Sequence, residues 1–115
     1  MKISIYAFGA QSDMSIDVPR DSHTAKYLKD IEKQNPGILG DAWVRLVNYF
    51  GLATGGVVHP LMIAAALHSE SLECDEIADE GEGWSDDINE AADRAVTLKN
   101  VAARICALEM ARILL

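Results

Sequence analysis

Residues 60–80 read PLMIAAALHSESLECDEIADE, and this stretch decides the fold. Its first half is almost wholly apolar, whereas its second half carries one carboxylate after another. A helix that is apolar on every side belongs in a core, and one that becomes acidic belongs at the surface. Pro60 suits the first turn, where a missing N–H leaves no helical hydrogen bond unmade. The stretch therefore predicts one helix that runs outward from the core into solvent.

The segment that follows predicts a sharp break and then a long last helix. Residues 81–85, Gly-Glu-Gly-Trp-Ser, interrupt the helical pattern, and Asp87 with Glu90 has the spacing of a capping box. Apolar residues then recur at helical spacing, at Ile88, Ala91, Ala95, Leu98, Ala102 and Ile105. Because a short break joins the two helices and alanines permit close approach, we expect them to pack antiparallel.

The opposite end of the chain predicts a β-hairpin within residues 1–19. Residues 2–8 alternate between two faces, one of them formed by Ile3, Ile5 and Ala7, residues 9–13 have turn composition, and residues 14–18 alternate again. A hairpin of two strands is marginal in water, so we expect it to rest on helices or to pair with another strand.

Two further helices are expected between the hairpin and residue 60. Asp21 or Ser22 can cap a helix that runs to about Gln34, and Asp41 can cap a second, short one. In the second helix one apolar stripe is expected, formed by Trp43, Leu46, Val47 and Phe50. The fold class is therefore α+β and mainly helical: a single domain over 1–115, with a hairpin in 1–19 and about four helices forming a small bundle in 21–115.

The net charge of −8 on 115 residues is concentrated in one place. Residues 70–93, which we call the acidic elbow, contain no lysine or arginine and eleven carboxylates. These are Glu70, Glu73, Asp75, Glu76, Asp79, Glu80, Glu82, Asp86, Asp87, Glu90 and Asp93. Residues 1–69 are neutral overall and residues 94–115 carry +3. Such a chain should repel nucleic acid and anionic membranes and attract basic protein surfaces or cations.

The remaining composition favours a cytoplasmic protein. Cys74 and Cys106 are the only cysteines, and they lack a spaced motif, which fits a reducing compartment. Residues 46–67 carry no formal charge over about the length of a membrane span. The Gly55-Gly56 pair and Pro60 interrupt that stretch, so we interpret it as two buried helices joined by a turn and expect no membrane association.

Two pairs of acids in the elbow have the spacing of a metal site. Glu70-x-x-Glu73 and Glu90-x-x-Asp93 lie on successive helices, and residues three apart share a helix face. The pattern resembles the paired acidic motif of the MazG-like all-α nucleoside triphosphate pyrophosphohydrolases. This resemblance covers about 24 residues and implies a Mg²⁺-dependent hydrolase in which these four carboxylates hold the metal. The chain departs from that family in its N-terminal hairpin and in having no basic cluster for a triphosphate.

A calcium loop is excluded by the residues between the two helices. Residues 79–90 have the length of an EF-hand loop, with an acid at each end. Its third and fifth positions are Gly81 and Gly83, which bring no side-chain oxygen, and Trp84 stands where the sharp turn requires glycine.

The favoured hypothesis is a non-catalytic protein that binds a basic protein surface through the elbow. Tryptophan is enriched at interface hot spots, and carboxylates beside it suit an arginine-rich target. The expected partner-binding residues are Glu73, Glu76, Asp79, Glu80, Glu82, Trp84, Asp86 and Asp87. Acidic proteins of this class include phage-encoded inhibitors of host defences, DNA mimics, and immunity proteins or antitoxins.

The sequence suggests no catalytic residues, no cofactor under the binding hypothesis, and Mg²⁺ only under the hydrolase alternative. A solubilising role for the elbow, and a homodimer through the apolar last helix, are further alternatives.

Overall fold

A computed structural model of the protein describes residues 1–52, 56–80 and 86–114, and at residues 79–80 and 86–88 it describes the helical backbone only. Two strands open the chain, β1 (Lys2–Ala7) and β2 (Ala10–Ser15). Four helices follow: α1 (His23–Gln34), α2 (Ile38–Tyr49), α3 (Pro60–Glu80) and α4 (Asp86–Leu114). The expected fold class, a hairpin followed by four helices, is confirmed.

The hairpin is confirmed, but its turn lies earlier than the sequence suggested. β1 and β2 pair antiparallel from Lys2 opposite Ser15 to Ala7 opposite Ala10, so only Phe8 and Gly9 connect them. Both connecting residues have positive φ, 54° and 77°, the pattern of a two-residue type I′ turn. The prediction of a turn over 9–13 was wrong because residues 10–13, although mostly polar, form the largely exposed beginning of β2.

Gly9 should be sensitive to substitution because of its backbone conformation alone. A Cβ added there would meet no atom within 4 Å, yet φ is +77°. A non-glycine residue in the left-handed region costs roughly 1–2 kcal/mol. Gly9→Ala should therefore lower the free energy of unfolding by about 1 kcal/mol, measured by urea denaturation. Gly9→Asn, which tolerates this region, should lose less, and equal losses for the two variants would contradict the explanation.

The hairpin does not stand alone. Ile16, just beyond β2, forms a parallel bridge with Val58, and the Asp17 N–H donates to the Val58 carbonyl at 2.8 Å. On the other strand, α2 packs against β1 where Gly40 meets the backbone of Tyr6. The hairpin therefore gains both the helical support and the additional strand pairing that its small size requires.

α1 begins and ends where the sequence indicated, whereas α2 begins earlier than expected. The Ser22 hydroxyl accepts the Ala25 N–H at 3.1 Å, and α1 ends at Gln34. α2 begins at Ile38 rather than at Asp41, because the Glu32 carboxylate of α1 accepts the N–H groups of Gly37 and Leu39. A capping group from the preceding helix cannot be recognised by local spacing.

The expected apolar stripe of α2 is confirmed only in part. Trp43 and Leu46 are buried and Val47 is half-buried. Phe50 is more than half exposed, because α2 ends at Tyr49 and Phe50 is its C-terminal cap, outside the helical register.

α3 and α4 form the largest contact between any two elements, and their five-residue connection makes them antiparallel. The apolar start of α3 is in the core, where Ile63, Ala66 and Leu67 are fully buried. Of the apolar positions expected on α4, four are buried and Ala91 is half-buried, whereas Ile88 lies outside the described side chains; the buried four are Ala95, Leu98, Ala102 and Ile105. No helix among the described residues is long and apolar enough to cross a membrane.

Candidate interaction surface

The acidic elbow comprises the second half of α3, the connection and the first two turns of α4. The structure describes six of its carboxylates, namely Glu70, Glu73, Asp75, Glu76, Glu90 and Asp93. The other predicted partner-binding side chains lie outside the described residues; these are Asp79, Glu80, Glu82, Trp84, Asp86 and Asp87. The structure therefore shows the contacts of six of the eleven elbow carboxylates.

Glu73 is held by an arginine from outside the elbow. Arg45 of α2 donates from Nη1 to Glu73 Oε1 at 3.0 Å and from Nη2 to Oε2 at 2.7 Å. The Arg45 guanidinium also lies 5.1 Å from the ring centre of Tyr49. These hydrogen bonds from Arg45 hold the pKa of the Glu73 carboxyl below its usual value. The Glu73 side chain is still half exposed, so it braces α3 against α2 and faces solvent at the same time.

Arg94 joins three helices through two carboxylates. From α4 it donates to Glu70 Oε1 of α3 at 2.8 and 3.0 Å, and to Asp41 Oδ2 of α2 at 3.0 Å. Lys99, one and a half turns further along α4, pairs with Asp75. Three of the six described carboxylates are therefore paired with bases that the sequence places outside the elbow, and these three hold helices together.

Glu76, Glu90 and Asp93 differ from those three. All three are exposed, and no ion pair to any of them occurs among the described residues. Counting Arg45, Arg94 and Lys99 reduces the local charge from −11 to −8, so the elbow keeps a strong negative excess. The charge available to a partner lies toward the end of the α3–α4 pair.

The structure does not assemble the predicted metal ligands. Among the residues that it describes, no group of three or more histidine, cysteine or acidic side chains could hold a metal ion, and Glu70, Glu73, Glu90 and Asp93 are all described. Glu70 and Glu73 bind arginines instead of meeting the other pair. This geometry gives no support to the hydrolase alternative. Most of the rejected calcium loop, residues 79–90, lies outside the described side chains.

A buried charged cluster that the sequence analysis missed lies far from the elbow. Glu109 of α4 is fully buried and accepts the Thr24 hydroxyl of α1 at 2.9 Å. Arg112 donates to both Glu109 oxygens at 2.7 Å. Hydrogen bonds from Arg112, and secondarily from Thr24, hold the pKa of the Glu109 carboxyl below its usual value despite its burial. The signal in the sequence was an acid on the apolar face of α4 with a base three residues later.

The two cysteines occupy different environments. Cys74 is buried, and burial raises the pKa of its thiol, so it remains protonated at neutral pH. Cys106 is half-buried on α4. The Cys74 environment is not that of an activated nucleophile, which requires a depressed thiol pKa.

Comparison with known proteins adds no family to this description: the chain matches no protein-family model, no curated protein and no solved structure.

Proposed function

We propose that the protein is a non-catalytic binding protein whose acidic elbow engages a basic protein surface. The main support for the proposal is that the described carboxylates of the elbow fall into two groups, one paired with bases and one unpaired. Glu70, Glu73 and Asp75 are paired with bases and hold the helices together. Glu76, Glu90 and Asp93 are exposed and have no base partner among the described residues. Unpaired surface carboxylates repel one another, so a group of them suits a basic target.

The paired carboxylates support the proposal by fixing where the unpaired ones stand. Arg94 connects α2, α3 and α4, and Arg45 connects α2 and α3. Ion pairs therefore hold together the three helices at the base of the elbow. A charge pattern on a rigid base loses less conformational entropy when it binds than one on a loose segment. Long-range attraction would also speed association with a basic partner at low salt.

An arginine-rich peptide is a suitable probe of this surface. The test variant replaces Glu76, Asp79, Glu80 and Glu82 with the corresponding amides and leaves the three paired acids intact. We expect its affinity for the peptide to fall about tenfold. We also expect its binding to depend less on salt than that of the unmodified chain. Fluorescence anisotropy over a series of salt concentrations measures both quantities.

A matched control separates the elbow from the net charge. Replacing Asp13, Asp17, Asp21 and Asp30 with asparagine removes the same number of charges from exposed positions outside the elbow. This control should bind the peptide within about twofold of the unmodified chain. If the two variants lose affinity equally, binding reflects overall charge and the elbow is not a specific surface. The elbow variant can also be compared with the unmodified chain as bait for basic proteins of the native host.

A further inference from the structure

A small cavity lies between α2 and α3, beside the acidic elbow. It has a volume of about 290 Å³ and is lined by Asp41, Val44, Arg45 and Tyr49 of α2 and by Glu70 of α3. Asp41, Arg45 and Tyr49 are four residues apart, so they lie on one side of α2. Pockets for whole small molecules measure roughly 300–1,000 Å³, so this cavity suits a group as small as one side chain.

Acidic groups outnumber basic groups around the cavity. Arg94 donates from Nη2 to Asp41 Oδ2 at 3.0 Å and to Glu70 Oε1 at 2.8 Å, so these two carboxylates are neighbours. Beside them, Arg45 is bound to Glu73. Three carboxylates therefore meet two arginines, and one negative charge has no counter-ion in the described part of the chain. One further basic group would balance the charge.

Glu70 also has a hydrogen-bond acceptor to spare. Its Oε2 atom is buried and accepts no hydrogen bond from the described residues. A buried polar atom without a partner destabilises the folded chain. The terminal torsion of a glutamate turns easily, so the carboxylate can present one oxygen to the cavity while the other stays with Arg94. A hydrogen-bond donor placed in the cavity would satisfy this acceptor.

Tyr49 adds an aromatic wall to the cavity. The residue is 72% exposed, and the Arg45 guanidinium carbon lies 5.1 Å from its ring centre. Guanidinium groups stack on aromatic rings and bind carboxylates through a planar fork of donors. Arg45, which contacts the Tyr49 ring and donates twice to Glu73, already shows this chemistry within the chain. Because most of the Tyr49 residue is exposed, a second guanidinium has access to it.

The cation that fits this cavity is organic rather than metallic. No group of three or more acidic, histidine or cysteine side chains in the described ranges could hold a metal ion. Arg45 and Arg94 also place positive charge against the carboxylates, and they would repel a bare divalent ion. An arginine side chain instead brings its own donors and a flat surface for the ring.

We propose that this cavity binds one arginine side chain of the basic partner, whose guanidinium donates to Asp41 and Glu70 and stacks on Tyr49. The inference rests on the proposed function, because the elbow supplies Glu70 and the long-range attraction for a basic surface. It adds Asp41 and Tyr49, which lie outside the elbow, to the contact surface. It also names arginine as the recognised residue, because the lysine ammonium is a point charge without a flat surface.

The first test titrates N-acetylarginine amide into an isotope-labelled chain while NMR records the backbone N–H signals. We expect the largest shifts at the cavity residues Val44, Arg45, Tyr49 and Glu70. N-acetyllysine amide should bind about threefold more weakly. N-acetylcitrulline amide, which has the shape of arginine without its charge, should cause no localised shifts. The proposal is overturned if the arginine compound causes no localised shifts at the cavity, or if either of the other compounds binds there equally well.

The second test measures binding of the arginine-rich peptide to cavity variants that circular dichroism shows to be folded. The double variant Asp41→Asn with Tyr49→Leu should bind about tenfold more weakly than the unmodified chain, because it loses one charge and the ring. Tyr49→Phe, which keeps the ring, should bind about threefold more tightly than Tyr49→Leu. Asp30→Asn removes one exposed charge from α1 and should stay within about twofold of the unmodified chain. A double variant that binds as well as Asp30→Asn contradicts the proposal.

The two proposals fail in different ways. If the elbow variant loses peptide affinity but the arginine compound does not shift the cavity signals, the elbow is the contact surface and the cavity is not a site. If the arginine compound shifts the cavity signals but the elbow variant binds the peptide normally, the cavity is an arginine site and the exposed elbow carboxylates are not the contact surface.

Discussion

Replacing Gly40 with alanine should lower the free energy of unfolding by about 3 kcal/mol. In an unconstrained helix the same change would stabilise the protein by up to about 1 kcal/mol. Here an added Cβ would lie 2.1 Å from the Tyr6 carbonyl oxygen and 3.1 Å from its carbonyl carbon. No side-chain rotation relieves a clash with backbone, so β1 must move away from α2.

Urea denaturation followed by circular dichroism measures this loss. Gly37→Ala is a useful comparison, because Gly37 precedes the same helix and has open space around its Cβ position, but has a φ of +92°. It should lose only about 1 kcal/mol, from backbone strain. The sign of the Gly40→Ala effect is decisive: an unchanged or increased stability would mean that α2 does not press against β1 as described.

Replacing Glu109 with alanine should have a similarly large effect, a loss of about 3 kcal/mol. The carboxylate is fully buried, and its removal leaves the buried Thr24 hydroxyl without its acceptor and Arg112 without its counter-ion. Because the Arg112 side chain is about one-third exposed, its charge can reach water, which keeps the loss at the lower end for a broken buried pair. Urea denaturation of Thr24→Val, Glu109→Ala and the double variant isolates the coupling between the two side chains. If their effects are additive, the hydrogen bond between α1 and α4 contributes little.

The buried carboxyl group of Glu109 should also make the stability of the protein depend on pH, with stability lost toward acid pH. The pKa of Glu109 is lower in the folded chain than its ordinary value, because Arg112 and Thr24 donate to the ionised form. Its contribution to stability is therefore fully present above the unfolded pKa of roughly 4.3, and is lost as pH falls through the lower, folded pKa. The stability difference between the unmodified chain and Glu109→Gln should be largest at neutral pH and should shrink in that acid range. A difference that stays constant to low pH would contradict this role.

Sequence patterns predicted the elements of the fold well where one periodicity dominated. The alternation in residues 2–8 gave β1, and the change from apolar to acidic in residues 60–80 gave α3. The errors occurred where something other than the residue type sets the boundary of an element. Glu32 caps α2 across a turn, and the positive φ of Phe8 allows a two-residue turn that its residue type does not suggest. Local propensity contains neither piece of information.

The sequence predicted where the negative charge is concentrated, but not which of the acidic side chains form ion pairs. Counting residues identifies the elbow, yet it cannot show that Arg45, Arg94 and Lys99 neutralise three of its carboxylates. These pairs join residues 24 or 28 positions apart, and they depend on how the helices pack. The same limit applies to the metal hypothesis: the spacing i, i+3 places two acids on one side of a helix but does not determine what that side meets.

The hydrogen bond between Thr24 and Glu109 has a consequence for the order in which the chain can fold during its synthesis. The two residues are 85 positions apart, so the partner of Thr24 is among the last parts of the described chain to be made. Until then α1 can form its own turns but cannot complete its contact with α4, and contacts between distant residues form more slowly than local ones. Until residue 109 has been made, the nascent protein therefore exposes the side of α1 that α4 later covers.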